Sequence, residues 1–296
     1  MVAQLSDGKT IGRGECVPYA RYGESVESVT AQIEAIRPQL AALTRETLQT
    51  AMKPGAARNA LDCALWDLEA KRSGKRVHEL AGLPTPRALT TAFTISLGTA
   101  DEMAKAAAAS ASRTLLKIKL GADGDPARIA AVRAAAPRAT LIVDANESWN
   151  EGNFAANLAA CAQAGVLLVE QPFPEGNDEA LRHLQRPIPV CADESAHDRD
   201  SIVALAGKYD AINIKLDKAG GLTEALAMAT LAKRSGFTIL AGCMVATSLA
   251  MAPAMLVAQV ADFIDLDGPL LLARDRANGL RYDGSLVYPA TQALWG

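Results

Sequence analysis

Eight short runs rich in apolar and β-branched residues recur at near-constant spacing: TTAFTISL, LLKIKL, TLIVDAN, VLLVEQP, PVCADES, AINIKL, FTILAGCM and FIDLDGP. Measured between Leu97, Lys119, Asp144, Glu170, Asp193, Lys215, Gly242 and Asp265 near their ends, the steps are 22, 25, 26, 23, 22, 27 and 23 residues. Alanine-rich helical runs of about ten to fifteen residues separate them, which is the pattern of repeated βα units. A doubly wound sheet uses the same unit. Eight evenly spaced strands favour closure, however, and no G-x-G-x-x-G follows the first of them. The expected fold is therefore α/β, a TIM-like (β/α) barrel over residues 86–272.

Residues 1–85 read differently. A short hairpin (VAQL, turn SDGK, then TIGRGEC) precedes two helical stretches, SVESVTAQIEAIRPQLAAL and AARNALDCALWDLEAKRSG, giving a small α+β region. Residues 273–296 are expected to return toward it and complete a capping domain.

Composition removes several classes of function. The 296 residues are 50% hydrophobic with a formal net charge of −3, so there is core for a large domain and no basic field for nucleic acid or an anionic membrane. No stretch reaches the length of a membrane span, and the start has no basic-then-apolar leader, so a cytoplasmic protein is expected. The five cysteines (Cys16, Cys63, Cys161, Cys191, Cys243) are an odd number without a C-x-x-C pair, and form no zinc-like pattern with the three histidines. A reduced interior and a small-molecule partner fit these facts.

In a barrel of this kind the reactive groups sit at the C-terminal ends of the strands. Strand two ends in Lys117 and Lys119, strand three in Asp144 and Asn146, strand four in Glu170, strand five in Asp193 and Glu194, strand six in Lys215, and strand eight in Asp265 and Asp267. Any one carboxylate would ordinarily cap a helix or pair with a surface lysine. Asp144, Glu170 and Asp193 would nevertheless converge from adjacent strands, and three packed carboxylates repel unless a cation sits among them. All-oxygen ligands point to Mg²⁺, with Mn²⁺ as substitute. Lys119 and Lys215 would face each other across that ion. There Mg²⁺ would stabilise the enediolate formed beside a substrate carboxylate, while one lysine removes the α-proton and the other returns it on the opposite face.

Lys117 stands two residues before Lys119, roughly 6.7 Å along the strand. At an effective dielectric near 20 two ammonium groups so placed repel by roughly 2.5 kcal/mol, which would make Lys119 the better base. Lys117 is equally able to meet a substrate carboxylate. Asn146 and Glu194 are expected to support the metal site, His183 and His197 to lie at the surface, and Trp66 to pack in the core. Asp217 and Lys218 read as loop charges, and KAGGLTEA as a glycine turn into a helix with Thr223 near its start.

The segments LLKIKL, LIVDANESW, LLVEQPFP, CADES and INIKLDKAGGLTEA resemble the enolase superfamily, specifically its muconate-cycloisomerase-like subgroup with paired lysines. A lysine base working with Mg²⁺ is the chemistry attributed to such sites. FIDLDGP, GECVPYARYGES and AGCMVATS narrow the resemblance to the L-Ala-D/L-Glu dipeptide epimerases. The resemblance implies that Asp265 and Asp267 bind the dipeptide's free ammonium group. It also implies that Thr94, Lys117 and the wall around Cys243 contact substrate, and that the chain acts in murein peptide metabolism and assembles as a homo-oligomer. Members of the family begin with a further strand and a mobile lid loop, absent ahead of MVAQLSDGKT, while the second lid segment, PYARYGES, is present. A capping domain shortened in this way implies intact Mg²⁺ binding with weaker epimerisation. Cycloisomerisation or o-succinylbenzoate synthesis, a Schiff-base aldolase using Lys215, and an inactive relative that only binds are the competing readings.

Overall fold

The computed structural model describes residues 1–121 and 123–296. The chain opens with strands β1 (Val2–Ser6) and β2 (Ile11–Glu15), an antiparallel pair around the SDGK turn. Helices α1 (Val26–Ile36), α2 (Arg45–Ala51), α3 (Ala56–Ser73) and α4 (Val77–Leu80) follow. The expected long first helix changes after Ile36 to a 3₁₀ stretch, Arg37–Ala42, with Pro38 in its first turn because proline has no N–H for the α-helical ladder.

Gly12 and Gly14 share one face of β2, and that face rests on the backbone of α3. A Cβ on Gly14 would stand 2.1 Å from the Ala60 carbonyl oxygen and 2.8 Å from the Ala64 nitrogen, both backbone atoms with no rotamer to yield. Glycine on the strand and alanine on the helix thus set the depth of this contact. Gly14→Ala is expected to cost about 1–3 kcal/mol, the usual range for overpacking, read as a lower urea midpoint at unchanged slope.

After β3 (Leu89–Thr90) the barrel strands run β4 (Phe93–Ile95), β5 (Leu115–Lys119), β6 (Thr140–Asp144), β7 (Val166–Glu170), β8 (Val190–Ala192), β9 (Ala211–Ile214), β10 (Thr238–Ala241) and β11 (Phe263–Ile264). They form one eight-stranded parallel sheet in sequence order. Its first and last strands meet through a short seam: Ala92 N–H donates to the Ile264 carbonyl at 2.7 Å and Leu266 N–H to Thr91 Oγ1 at 2.9 Å. Helices α5 (Ala100–Ala109), α6 (Asp125–Ala135), α7 (Glu151–Gln163), α8 (Arg199–Leu205), α9 (Leu216–Ala219), α10 (Leu222–Arg234) and α11 (Ser248–Ala258) connect the strands. The β7–β8 crossing departs from the expected helical run. The stretch QPFPEGNDEALRHLQRPIP forms only a 3₁₀ turn, Glu179–Arg182, because its prolines and glycine break the helical ladder.

The hairpin β12 (Tyr282–Asp283) and β13 (Leu286–Val287) pairs with β3. Beyond it the chain reaches α3, where Trp295 Nε1 donates to the Cys63 carbonyl at 3.1 Å and the Gly296 N–H to Asp67 at 2.8 Å. Trp66 is buried on α3, with the Arg45 guanidinium 3.5 Å above its ring. The five cysteines are free.

Strand alternation decides what fills the barrel. Leu116, Ile118, Val143, Val169 and Ile239 point outward into the main core under the helices. Ala92, Leu115, Ile142, Leu168, Cys191, Ala211 and Leu240, with Phe263, form a separate apolar plug in the lumen. Two residues further along each strand the lumen turns polar, at Lys117, Asp144, Glu170, Asp193, Asn213 and Asp265. Among the described residues no helix is long and apolar enough to cross a membrane.

Candidate active site

Three lumen carboxylates form the floor. Register pairs Lys119 with Asp144 and Asp144 with Glu170 across adjacent strands, and Asp193 follows β8. One carboxylate oxygen from each of Asp144, Glu170 and Asp193 lies within 4.8 Å of the others, and all three side chains are buried.

The lysines expected to flank this triad do so. Lys119 Nζ lies 2.6 Å from Asp144 Oδ2, and Lys215 Nζ lies 2.5 Å from Asp193 Oδ2. Lys119 keeps 32% of its side-chain surface, so it opens to the barrel mouth, whereas Lys215 keeps 10%. Burial disfavours the Lys215 ammonium, but Asp193 and Glu170 outweigh it and raise its pKa above the ordinary lysine value.

Lys117 sits deeper than a bare neighbour of Lys119 would. Its Nζ is 2.6 Å from Glu170 Oε2, 2.8 Å from Asp265 Oδ2 and 3.2 Å from Asp144 Oδ2. Burial acts to lower its pKa, yet Asp265, Glu170 and Asp144 raise it well above the usual range. Asp144 lies against both lysines, so their mutual repulsion is offset and Lys117 does not act on Lys119 as an unscreened charge. The strand pattern placed the two lysines on one face. It could not show the carboxylates between them.

Asp265 gives Oδ2 to Lys117, while its buried Oδ1 has no hydrogen-bond partner among the described residues. Asp267 Oδ2 accepts the Thr94 N–H at 2.7 Å, and burial together with Asp265 pushes its pKa up to about 6. Cys243 is half-buried after β10 and close enough for Asp265 and Asp267 to raise its thiol pKa, after burial itself. Thr94, Lys117, Cys243, Asp265 and Asp267 therefore gather on one side of the lumen.

The surrounding residues divide. The Asn146 N–H donates to Asp144 Oδ1 at 3.0 Å, and Asn146 holds a left-handed φ of 44°. Glu194 Oε2 is buried without a partner among the described residues. His183 is exposed; His197 is half-buried, 2.7 Å from Glu175, with its ring against the edge of Tyr22. Thr223 lies in the first turn of α10 with its N–H on Asp62 at 2.9 Å, after Gly220 and Gly221, both at positive φ. Tyr22 belongs to the PYARYGES segment, which Arg21 clips to Glu147 at 2.6 Å.

The loop reading of Asp217 and Lys218 is corrected. Both are buried. Asp217 Oδ1 accepts the Val17 N–H at 3.0 Å and Asn59 Nδ2 at 2.8 Å, while Lys218 Nζ lies 2.5 Å from Asp193 Oδ1. The capping domain lies over the turn after β9, and local sequence carries no sign of that cover.

Two further residues support the triad and escaped sequence reasoning. Asn213 Nδ2 donates to Glu170 Oε1 at 2.7 Å from the same lumen face as Lys215. A Cβ on Gly242 would lie 2.4 Å from Asn213 Oδ1, so the neighbouring strand needs glycine there. Gln171, at φ 34°, accepts the Asp193 N–H at 2.8 Å and donates to the Phe173 carbonyl at 2.8 Å. The i, i+2 spacing of Asn213 and Lys215 was the available signal for the first; nothing local marked the second.

Six acidic side chains (Asp144, Glu170, Asp193, Glu194, Asp265, Asp267) meet four lysines (Lys117, Lys119, Lys215, Lys218), leaving two negative charges in excess when all ionise. Burial and Asp144 push Glu170 up to about 8, and burial and Asp193 push Glu194 up to about 7. Burial also acts to raise Asp144, but Lys119 and Lys117 hold it at about 2. The buried Glu194 Oε2, without a partner among the described residues, stands at that surplus. A hard divalent ion fits this donor set in charge and in ligand type.

A parallel barrel with a carboxylate triad at its strand ends, under an N-terminal capping domain, is the architecture of the enolase class. Residues 99–277 match the enolase C-terminal domain-like family and residues 2–82 match the mandelate racemase/muconate lactonizing enzyme N-terminal domain. The chain belongs to the mandelate racemase/muconate lactonizing enzyme family of the enolase superfamily. It is 48% identical over 285 residues to an L-Ala-D/L-Glu epimerase of Escherichia coli K12, covering 95% of this chain and 89% of that protein. It is 43% identical over 299 residues to an N-acetyl-D-glutamate racemase of a Pseudoalteromonas species, covering 100% and 95%. A crystal structure from Agrobacterium tumefaciens, of an enolase family member with homology to dipeptide epimerases, contains sodium and L-Ala-L-Glu. It superposes with a TM-score of 0.97 at 58% identity, covering 100% of this chain and 91% of that one. These relatives are epimerases and racemases, isomerases of amino-acid derivatives.

Proposed function

We propose that this chain epimerises dipeptides of the L-Ala-D/L-Glu type by moving the glutamate α-proton between Lys119 and Lys215. The observation that carries this reading is the placement of these lysines on opposite flanks of the triad, against Asp144 and Asp193 respectively. A single base would exchange a proton with retention; two bases on opposite faces invert the carbon.

Asp144, Glu170 and Asp193 would hold Mg²⁺, or Mn²⁺ in its place. When bound, the ion draws charge from the substrate carboxylate and acidifies the neighbouring C–H. Lys119 takes the proton on one face as Lys215 donates on the other, and the roles reverse for the other isomer. Asp265 Oδ1, buried and without a partner among the described residues, is an acceptor for the ammonium group of the first residue. The Arg21-clipped segment over the mouth limits water during transfer.

The rivals lose support at particular residues. A Schiff-base aldolase using Lys215 gives no task to the three carboxylates packed together beside it, which repel without a cation among them. Cycloisomerisation and o-succinylbenzoate synthesis leave Asp265 Oδ1 without a cation. Racemisation of N-acylated glutamate, the activity in the name of one relative, removes the ammonium that the acidic pair would meet. The proposed setting is cytoplasmic turnover of murein peptides.

In deuterated buffer with Mg²⁺ and L-Ala-L-Glu, label is expected at the glutamate α-carbon together with the D isomer. Absence of both from folded, Mg²⁺-supplied protein would sink the assignment. Asp265→Asn is expected to raise KM for the dipeptide about tenfold or more, the scale of a charge-assisted contact, with little effect on N-acetylglutamate. Equal effects on both compounds would move the acidic pair out of ammonium recognition.

A further inference from the structure

The buried lysine of the turn after β9 has a task that proton transfer does not cover. Lys218 exposes none of its side chain, whereas the proposed base Lys119 exposes 32%. It has no opening toward the mouth through which to reach substrate. Its ammonium group donates to Asp193 Oδ1 at 2.5 Å, to the Asp193 carbonyl oxygen, and to the Asn213 carbonyl oxygen at 3.1 Å. Three donors meet three acceptors, which is all a lysine can offer.

Those acceptors lie where β8 and β9 end. Asp193 is consequently held at both carboxylate oxygens, Oδ1 by Lys218 and Oδ2 by Lys215. Rotation of the carboxylate would break one charge-assisted bond before making another. Asn213 is tied through its carbonyl, and its side chain holds Glu170 Oε1 at 2.7 Å. One ammonium group thereby reaches two of the three triad carboxylates.

The turn that carries Lys218 is clamped from outside. Arg58 of α3 donates to the Ala219 carbonyl at 2.7 Å and the Gly220 carbonyl at 3.1 Å, and Asn59 donates to Asp217 Oδ1 at 2.8 Å. Burying an unneeded ammonium costs several kcal/mol, and an apolar side chain of similar length would fill the same space without that cost. The charge must therefore serve the groups it touches.

We propose that Lys218 is a positioning residue that fixes the Asp193 carboxylate, and through Asn213 the Glu170 carboxylate, in the orientation that receives the divalent ion. This rests on the metal-dependent reading of the site. Lys218 touches neither substrate nor the reacting carbon, and partners of this outer kind typically contribute about 10–100-fold to metal affinity.

The test uses the full chain with Lys218→Met, which keeps length and loses charge, and Lys218→Gln, which keeps a donor and supports folding. Calorimetric titration with MgCl₂ is expected to show about 10–100-fold weaker binding for Lys218→Met and a smaller loss for Lys218→Gln. Saturating Mg²⁺ is expected to restore kcat, which a general packing defect would not allow. Mg²⁺ affinity within twofold of wild type in Lys218→Met overturns the proposal, as does a loss in Lys218→Gln equal to or larger than that in Lys218→Met, or a kcat that stays low at saturation. Should wild-type protein bind no Mg²⁺, the metal-dependent reading falls. Crystal structures of the metal-free proteins then decide the positioning role: a displaced Asp193 carboxylate in Lys218→Met supports it, and an unmoved one overturns it.

Discussion

Lys119→Ala and Lys215→Ala are each expected to abolish epimerisation while leaving α-proton exchange in one isomer only, and in opposite isomers. Each lysine lies against a different carboxylate of the triad, 2.6 Å from Asp144 for Lys119 and 2.5 Å from Asp193 for Lys215. Removing one leaves the other able to take its own proton and return deuterium to the same face. General acid/base groups contribute about 10²–10⁴-fold, so loss of turnover by at least about a hundredfold is expected in both variants. The measurement is deuterium incorporation by mass spectrometry alongside chiral analysis, run on L-Ala-L-Glu and L-Ala-D-Glu separately. Retained exchange of both isomers in either variant would show that the proton has another route.

Removing the proposed metal, or Glu170 as its proposed ligand, is expected to have the second large effect, with a dependence on pH that identifies the cause. Burial and Asp144 push the metal-free Glu170 up to about 8, and burial and Asp193 push Glu194 up to about 7. Both values lie above those of an unfolded glutamate, near 4.3. Between these limits the folded chain binds more protons than the unfolded one, so this contribution to stability falls as pH rises from about 4.3 toward 8. Mg²⁺ bound at the triad would replace those protons. Its stabilisation, about 2.7 kcal/mol at a hundred times its dissociation constant, is therefore expected to be larger at pH 8 than at pH 6, with protons released on binding. Thermal melts with Mg²⁺ and with a chelator, at the two pH values, measure this. Glu170→Gln is expected to lose more than the roughly 10–100-fold of metal affinity typical of an outer partner. It should fold at least as well as metal-free wild type, because glutamine resembles the protonated acid. Lower metal-free stability in Glu170→Gln would place Glu170 in an ionised, lysine-paired role instead.

Strand spacing made the barrel legible because βα units repeat their period whatever surrounds them. Polar strand ends made the triad and flanking lysines legible because each interrupts an apolar run at an equivalent height. The 3₁₀ crossing between β7 and β8 follows from a proline-rich stretch that spacing alone could not distinguish from a helix. Lys218 and Asp217 were illegible as site residues, because what buries them is the capping domain, more than 150 positions earlier in the chain. Lys117 carried an ambiguous sign for the same reason: its partner Asp265 lies 148 residues away.

The sequence by itself determined which side chains enter the lumen, through the two-residue period of the strands, and which chemical types meet there, through composition at the strand ends. Tertiary structure decided how they pair. It placed Asp144 against both Lys117 and Lys119, left Asp265 Oδ1 without a partner among the described residues, and set Lys218 beneath Asp193. Electrostatic energy depends on separation and on exclusion of water, and both are properties of folded neighbours that a linear order of residues does not contain.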